Sequence, residues 1–452
     1  MPRFLPVFLL LFILLVRPTL HAEDKPAVPQ ELSAANYPSI QAALDANPGR
    51  VIHIPAGDHI ISAKISLRTP GCGLRGPGRI IQTNPEAPII AIENIQGARL
   101  SELTLTRPEG KQDTRNEAVV AIKCRDLWLD RLQVIDNRTI SGAIAIREST
   151  GTRIRDCLVR NYMRISVDDR TASDAYGYAF KCIDGTGISV SYSPGTLIQG
   201  NRVIEENLLP TPEIQQKFDL GKFVKKNAVK GSLMSQKVWD AERVDNWHQG
   251  SAIIVTAPEI SDAVQILGNS IENAAQGIDI HSDHVIIQGN IINNAFIGMK
   301  AMHGSRHVLI IGNQFIKNDL WSIGLMPGAA SHPALPAADG KPAVPPNVDG
   351  GSIIANNIIS EFGHGHAHWI WGDHGNPLRF ENGQMPDDPP LTDVIIQGNI
   401  IYNTGRDEAA EADRVPRFRH AVRISAGVQG LHFSNNLFHA GKEAISNIPL
   451  PP

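Results

Sequence analysis

Asp279, His281, Lys300 and His303 are the side chains of this 452-residue chain whose types and spacing suit proton-transfer chemistry. In Gly277-Ile278-Asp279-Ile280-His281 the carboxylate and the imidazole stand two residues apart, which puts them on one side of an extended strand. Imidazole gains and loses protons near neutral pH, so His281 suits a general base and His303 an acid or second base. Lys300 follows Asp279 by 21 residues. A lysine beside a carboxylate keeps its proton, which favours Lys300 as a cationic contact over Lys300 as a base. Asp279 is then the group that orients His281 or Lys300.

A repeated phrase supplies the positioning. Leu197-Ile198-Gln199-Gly200-Asn201, Ile266-Leu267-Gly268-Asn269, Ile286-Ile287-Gln288-Gly289-Asn290, Ile310-Ile311-Gly312-Asn313 and Ile395-Ile396-Gln397-Gly398-Asn399 share one pattern, and looser copies end at Asn357 and Asn436. Short β-branched runs broken by Gly and Asn, at a period of about 22 residues, predict an all-β solenoid. In each coil a first strand carries two inward apolar residues, a second strand precedes the recurrent Asn, and a third strand follows it. Ile278, Ile280, Val285 and Ile287 then face inward, while Asp279 and His281 face out. Asn side chains stacked from coil to coil can hydrogen-bond to one another, which accounts for a polar residue in apolar surroundings.

The same register extends the outward row of the first strands to Lys123, Arg147, Asp168, Ser189, Ser191, Asp279, His281 and Lys300, with successive coils about 4.8 Å apart. Exposed intercoil ion pairs worth under about 1 kcal/mol each are the plain account of Lys123 and Arg147. Residues 205–249, 327–350 and 372–392 break the period and flank the first strand, and loops longer than about 15 residues are usually functional, so a groove is expected over that face. The 205–249 insertion carries helix-like segments with Lys222, Lys225, Lys226, Lys230 and Lys237, a basic lid, and Pro-rich 327–350 reads as an irregular flap. Lys123, Arg147, Asp168 and Arg306 are expected to contact substrate along this groove.

Ser39-Ile40-Gln41-Ala42-Ala43-Leu44 followed by Val51-Ile52-His53-Ile54-Pro55-Ala56-Gly57 looks like a capping helix and first strand. With the coils, this start resembles the right-handed parallel β-helix proteins of the pectate lyase-like superfamily, over residues 37–446. The resemblance implies a single-stranded right-handed parallel β-helix with a short N-terminal capping helix and long loop insertions. It also implies a carbohydrate-active or carbohydrate-binding protein, since polysaccharide lyases, glycoside hydrolases, uronate epimerases and phage adhesins share that fold.

Within that range, β-elimination on an acidic polysaccharide suits the row best. It needs a cation beside the substrate carboxylate, here Lys300 or Arg147, a base, and a proton for the leaving oxygen. Epimerases of similar fold carry an Asp-Pro-His-Asp motif, which Asp279-Ile280-His281-Ser282-Asp283 matches only in part. A hydrolase needs two carboxyls about 5 to 9.5 Å apart. Asp168 and Asp279 fall three coils, about 14 Å, apart on this register, so Asp283, Glu259 or Asp373 would have to partner Asp279. The non-enzymatic alternative is a carbohydrate-binding surface protein using Trp247, Trp321, Trp369 and Trp371.

His364, His366 and His368 alternate in sequence, so on a strand they share one face and could converge on a transition metal, while the groove carboxylates suit calcium. His366, His368 and Trp371 are equally suited to sugar contacts. Arg3, the apolar run from Phe4 to Val16 and the small residue Ala22 predict a signal peptide over 1–22, then a linker over 23–36 and a tail over 447–452. Thirteen apolar residues are too few to span a bilayer, so the expectation is a secreted or periplasmic monomer with no membrane anchor after cleavage. A formal charge of −4 argues against nucleic acid as a partner. Cys72, Cys124, Cys157 and Cys182 lack CxxC spacing, which excludes a zinc ribbon and leaves buried thiols as the simplest reading.

Overall fold

In the computed structural model, which describes residues 32–168, 173–257, 263–338, 340–366, 373–383, 387–402 and 416–451, the repeated apolar runs form three sheets. Each sheet has 12 strands, and successive strands within each pair in parallel, one per coil. The chain visits the sheets in rotation, so the fold is a parallel β-helix. The expected signal peptide lies outside the described residues, as does most of the linker.

Strand alternation sets the core. Ile278, Ile280, Val285 and Ile287 are fully buried, and one continuous apolar cluster runs from Ala34 to Leu431. The helix Ile40–Ala46 closes the N-terminal end, with the Ser39 hydroxyl accepting from the Ala42 N–H as its cap. Cys72, Cys124, Cys157 and Cys182 are all buried.

The recurrent asparagines form a buried ladder. Nδ2 of Asn201 donates to Oδ1 of Asn269 at 2.9 Å, and the pattern repeats through Asn290, Asn313, Asn357, Asn399 and Asn436 at 2.9–3.0 Å. Each Oδ1 also accepts the backbone N–H of the Asn one coil earlier, as Asn290 does from Asn269 at 2.9 Å. At the N-terminal end Cys157 takes the next place, its backbone N–H donating to Asn201. Each buried Asn of the ladder is thereby paired with its equivalent in the next coil.

Two connections between the third and first sheets leave the solenoid and join beside it. Strands Arg164–Asp168 and Tyr178–Asp184 form an antiparallel hairpin, and Phe223–Lys226 from the later connection adds to its edge, with Tyr178 stacked on Phe223 at 4.3 Å. That later connection also carries helices Pro212–Phe218 and Gln236–Ala241. Residues 327–349 fold back on themselves through the bridges His332↔Asn347, Leu335↔Val344 and Ala338↔Lys341.

Two register expectations are corrected here. Ile165-Ser166-Val167-Asp168 is not a coil of the first sheet: strand Ile144–Arg147 pairs directly with Thr186–Ser191, bypassing it. The stretch 372–392 is not one insertion, because it contains the first-sheet strand Asn376–Phe380, which pairs with Trp321–Leu325 and His420–Ile424.

Candidate active site

Asp279 and Lys300 occupy one register position on successive coils, within strands Gln276–His281 and Ile297–Ala301. Oδ1 of Asp279 lies 2.9 Å from Nε2 of His281, and Oδ2 lies 3.3 Å from Nζ of Lys300. The Ser251 hydroxyl donates to Oδ2 at 3.4 Å. The contact with His281 is bent away from hydrogen-bond geometry and acts chiefly through charge. Asp279 faces outward, as its register requires, yet is only 4% exposed because the cleft walls cover it. Burial pushes its carboxyl up, but His281 and Lys300 beside it prevail and hold it well below the usual carboxylate range. The group is therefore a fixed anion with both oxygens engaged.

His303 sits where the chain turns after Lys300, at a positive φ of 62°. Its ring meets that of His281 edge-on, with centroids 4.4 Å apart. Burial, with His281 and Lys300 nearby, pushes its imidazole down to about 3. It is thus neutral at physiological pH and cannot serve as an imidazolium acid. The Ala330 N–H donates to Nδ1 at 3.2 Å, which places the proton of the neutral ring on Nε2. Gly328 packs against this ring, and a Cβ there would come within 2.3 Å of Nδ1.

The 327–349 flap holds the turn that carries His303. Asn347 Nδ2 donates to the His303 carbonyl at 3.0 Å, and buried Asp349 accepts the N–H groups of Gly304 and Ser305 and, at 2.6 Å, the Ser331 hydroxyl. Burial pushes the Asp349 carboxyl up to about 7, against those hydrogen bonds. Because the folded value exceeds the ordinary 3.8, its contribution to stability is complete below 3.8 and is lost as pH rises through about 7. Melting temperature should therefore decline across that interval, and Asp349→Asn should flatten the decline; an unchanged slope in a thermal scan series would show that Asp349 is not its source.

These groups line one cleft of about 520 Å³ whose floor is the first sheet, at Ser189, Ile254, Asp279 and Lys300. Asp168 and Asp184 enter it from the antiparallel hairpin, and Gln249 and Ser251 from the end of the later connection. Asp168 was expected three coils from Asp279; instead the two face the same cleft, because a protruding hairpin brings Asp168 back over the sheet.

Other expected site residues are placed elsewhere. Lys123 lies in a turn at positive φ, 3.6 Å from Glu148, with both side chains more than half exposed. Arg147 pairs with Glu117. Arg306 is bound to Asp283 at 2.7 Å, which engages that carboxylate as well. Asp373 is held by Arg419 at 2.8 Å and by Lys442 at 3.4 Å. His364 and His366 lie on a turn and bends, not on a strand, and the His366 N–H donates to Asn294 Oδ1 at 2.5 Å. His368, Trp369, Trp371 and Glu259 lie outside the described residues. Among the described residues no group of three or more metal-ligating side chains converges.

Several cleft residues escaped the sequence reading. Asp184, Gln249, Ser251 and Gln276 belong to connections or strand starts with no repeat signal. Arg379 and Arg423 continue the row Asp279, Lys300, Gly324. Arg379 packs over the Trp321 ring at 5.3 Å and pairs with Glu381. Extending the register past the flap would have found both.

No family model matches the sequence, and no curated protein matches it. Solved structures do resemble it in fold. PfbA, a surface adhesin of Streptococcus pneumoniae, superimposes with a TM-score of 0.55 at 11% identity over 92% of this chain and 93% of its own. The catalytic domain of an α-1,3-glucanase in complex with nigerose gives 0.51 at 11% identity over 94% of this chain and 70% of its own. The Agl-KA catalytic domain gives 0.50 at 11% identity, over 94% and 69%. The chain is a right-handed parallel β-helix, all-β apart from short helices. No helix among the described residues is long and apolar enough to cross a membrane.

Proposed function

We propose that the protein is an exported carbohydrate-active enzyme that cleaves a uronate-containing polysaccharide by β-elimination in the first-sheet cleft. The observation that carries this is Asp279, a buried carboxylate held below its ordinary pKa range between His281 and Lys300. Its charge beside the ring stabilises the imidazolium that forms when His281 takes up a proton. An ammonium has three N–H donors, so Lys300 can bind Asp279 and still contact a substrate carboxylate, lowering the cost of charge developing beside the proton to be removed.

His281 takes the proton from the carbon next to the carboxylate, the carbon–oxygen bond at the neighbouring position breaks, and the leaving oxygen needs a proton. The neutral ring of His303 is a poor source, since giving up Nε2–H would leave an imidazolate. His281, now protonated, returns the proton to the leaving oxygen, and His303 donates a hydrogen bond to the developing oxyanion. The apolar N-terminal run supports export, and fold neighbours that include a surface adhesin and a glucanase are consistent with a carbohydrate partner.

Asp168 and Asp184 in the same cleft favour hydrolysis as the second reading. A panel of uronate polymers separates the two: elimination yields an ultraviolet-absorbing unsaturated end with each new reducing end, whereas reducing ends without that absorbance would replace the lyase reading with a hydrolase.

A further inference from the structure

On the second sheet, apart from the cleft floor, three side chains stack along the axis of the solenoid. Arg99, Trp128 and Arg153 hold one register position on successive coils, in strands Arg99–Ser101, Trp128–Asp130 and Arg153–Arg155. The Arg153 guanidinium lies 4.5 Å from the centre of the Trp128 ring, and that of Arg99, one coil before, lies 5.8 Å from it. A cation over each side of the indole is held by the ring quadrupole, which restricts both long side chains. All three residues are exposed, Trp128 by 37%.

The charge of this ladder is not neutralised from within. Among the described residues neither Arg99 nor Arg153 forms an ion pair or a side-chain hydrogen bond, whereas Arg79, Arg131, Arg147 and Arg306 are each matched by a carboxylate. The acids nearest in the chain to Trp128 are engaged: Asp126 accepts from Gln96 Nε2 at 2.9 Å, and Asp130 pairs with Arg131 at 2.5 Å. Exposed Arg125, three residues before Trp128, adds a third cation without an acidic partner among the described residues.

Stacking uses the face of a guanidinium and leaves its N–H edge able to bind a carboxylate through two parallel hydrogen bonds. The two forks stand two coils, about 9.6 Å, apart along the axis. An extended uronate chain with two-fold symmetry turns alternate carboxylates to one side, and two of its sugar rings span about that length. The next residue of the row, Leu197, is apolar and half-buried, a surface suited to the C–H face of a sugar ring. A nucleic-acid duplex carries a charge about every 1.7 Å around a cylinder, and two forks on a flat sheet meet few of them.

We propose that Arg99, Trp128 and Arg153 form a second binding site for an anionic polysaccharide, which holds the polymer by its carboxylates outside the cleft. The proposal goes beyond the cleft reading and shares with it only the class of polymer. Arg153 lies three coils, about 14 Å along the axis, before the coil of Asp279, so a long chain can occupy both places.

The test is native electrophoresis of full-length His281→Ala protein, in which no turnover intrudes, through gels containing polygalacturonate, alginate, neutral dextran or duplex DNA. The polyuronates should retard the protein and dextran should not. Adding Arg99→Ala and Arg153→Ala should weaken the polyuronate dissociation constant by about tenfold, the loss expected from two exposed charged contacts. Adding Arg79→Ala and Lys317→Ala instead removes the same charge from paired positions elsewhere and should change it little. In the otherwise wild-type enzyme, Arg99→Ala with Arg153→Ala should lower kcat/KM on the polymer while leaving it unchanged on a trisaccharide. A melting temperature within a few degrees of the parent separates lost binding from lost folding.

Unchanged retardation on removal of Arg99 and Arg153, or an equal loss in the Arg79 and Lys317 variant, would overturn the site. Equal retardation by DNA through the same two arginines would overturn the polysaccharide assignment in favour of a general polyanion surface. The cleft reading fails separately: if no uronate polymer yields an unsaturated product but the arginine-dependent retardation is found, the lyase is refuted and the second site stands.

Discussion

His281→Ala should lower kcat on a uronate polymer by about 100- to 10,000-fold while leaving the melting temperature within a few degrees of wild type. His281 is the proton-transfer group of this cluster: Asp279 is held as an anion, Lys300 is paired with Asp279, and His303 is neutral with its proton on Nε2. The ring lies at the cleft surface, so its removal leaves no large void. Asp279→Asn provides the companion measurement. It preserves shape and removes the charge that stabilises the protonated His281 ring, so kcat should fall with KM changing less. Full activity in His281→Ala would remove the imidazole from the mechanism and turn attention to Asp168 and Asp184.

The largest structural effect should come from the centre of the asparagine ladder. Asn290 accepts from the backbone and side chain of Asn269 and donates to Asn313 Oδ1 and, at 2.9 Å, to the Ile266 carbonyl. Asn290→Ala leaves two buried donors on Asn269 and two buried acceptors short of a partner, a loss of about 3–5 kcal/mol in unfolding free energy. Asn290→Asp tests the donor half of this account, because it keeps an acceptor for Asn269 but presents an anion to the Asn313 and Ile266 oxygens. It too should destabilise in urea titrations. A cost below about 1 kcal/mol for Asn290→Ala would mean that water or a relaxed turn replaces the ladder.

The repeat made the solenoid legible because its signal is one of period, which survives without tertiary information. Ile278, Ile280, Asp279, His281 and Lys300 all follow from counting between asparagines that are 21 and 23 residues apart. Counting fails where the chain leaves the coil. Arg164–Asp168 alternates like a coil strand, and nothing local reveals that it pairs antiparallel with Tyr178–Asp184. A hairpin can return anywhere above the sheet, so the separation of Asp168 from Asp279 was not a matter of register. Arg306 and Arg147 were misplaced for another reason: a cation's residue type cannot show that a neighbouring carboxylate, Asp283 or Glu117, already claims it. The histidines at 364 and 366 alternate as a strand would, but the chain turns there before the next first-sheet strand begins at Asn376.

Among the described residues, successive strands of the three long sheets pair with their equivalents one coil before or after. The groups assigned to proton transfer come from two consecutive coils, while the walls come from connections that enter from the side. Architecture and chemistry are thus separately heritable. A duplicated coil among the N-terminal turns would lengthen the first-sheet face without moving Asp279 relative to Lys300, and an exchanged side loop would reshape the cleft wall without touching His281. A lineage built on such a chain can vary the length of its groove and the shape of its walls, with the coil pair of Asp279 and Lys300 carried along as a unit.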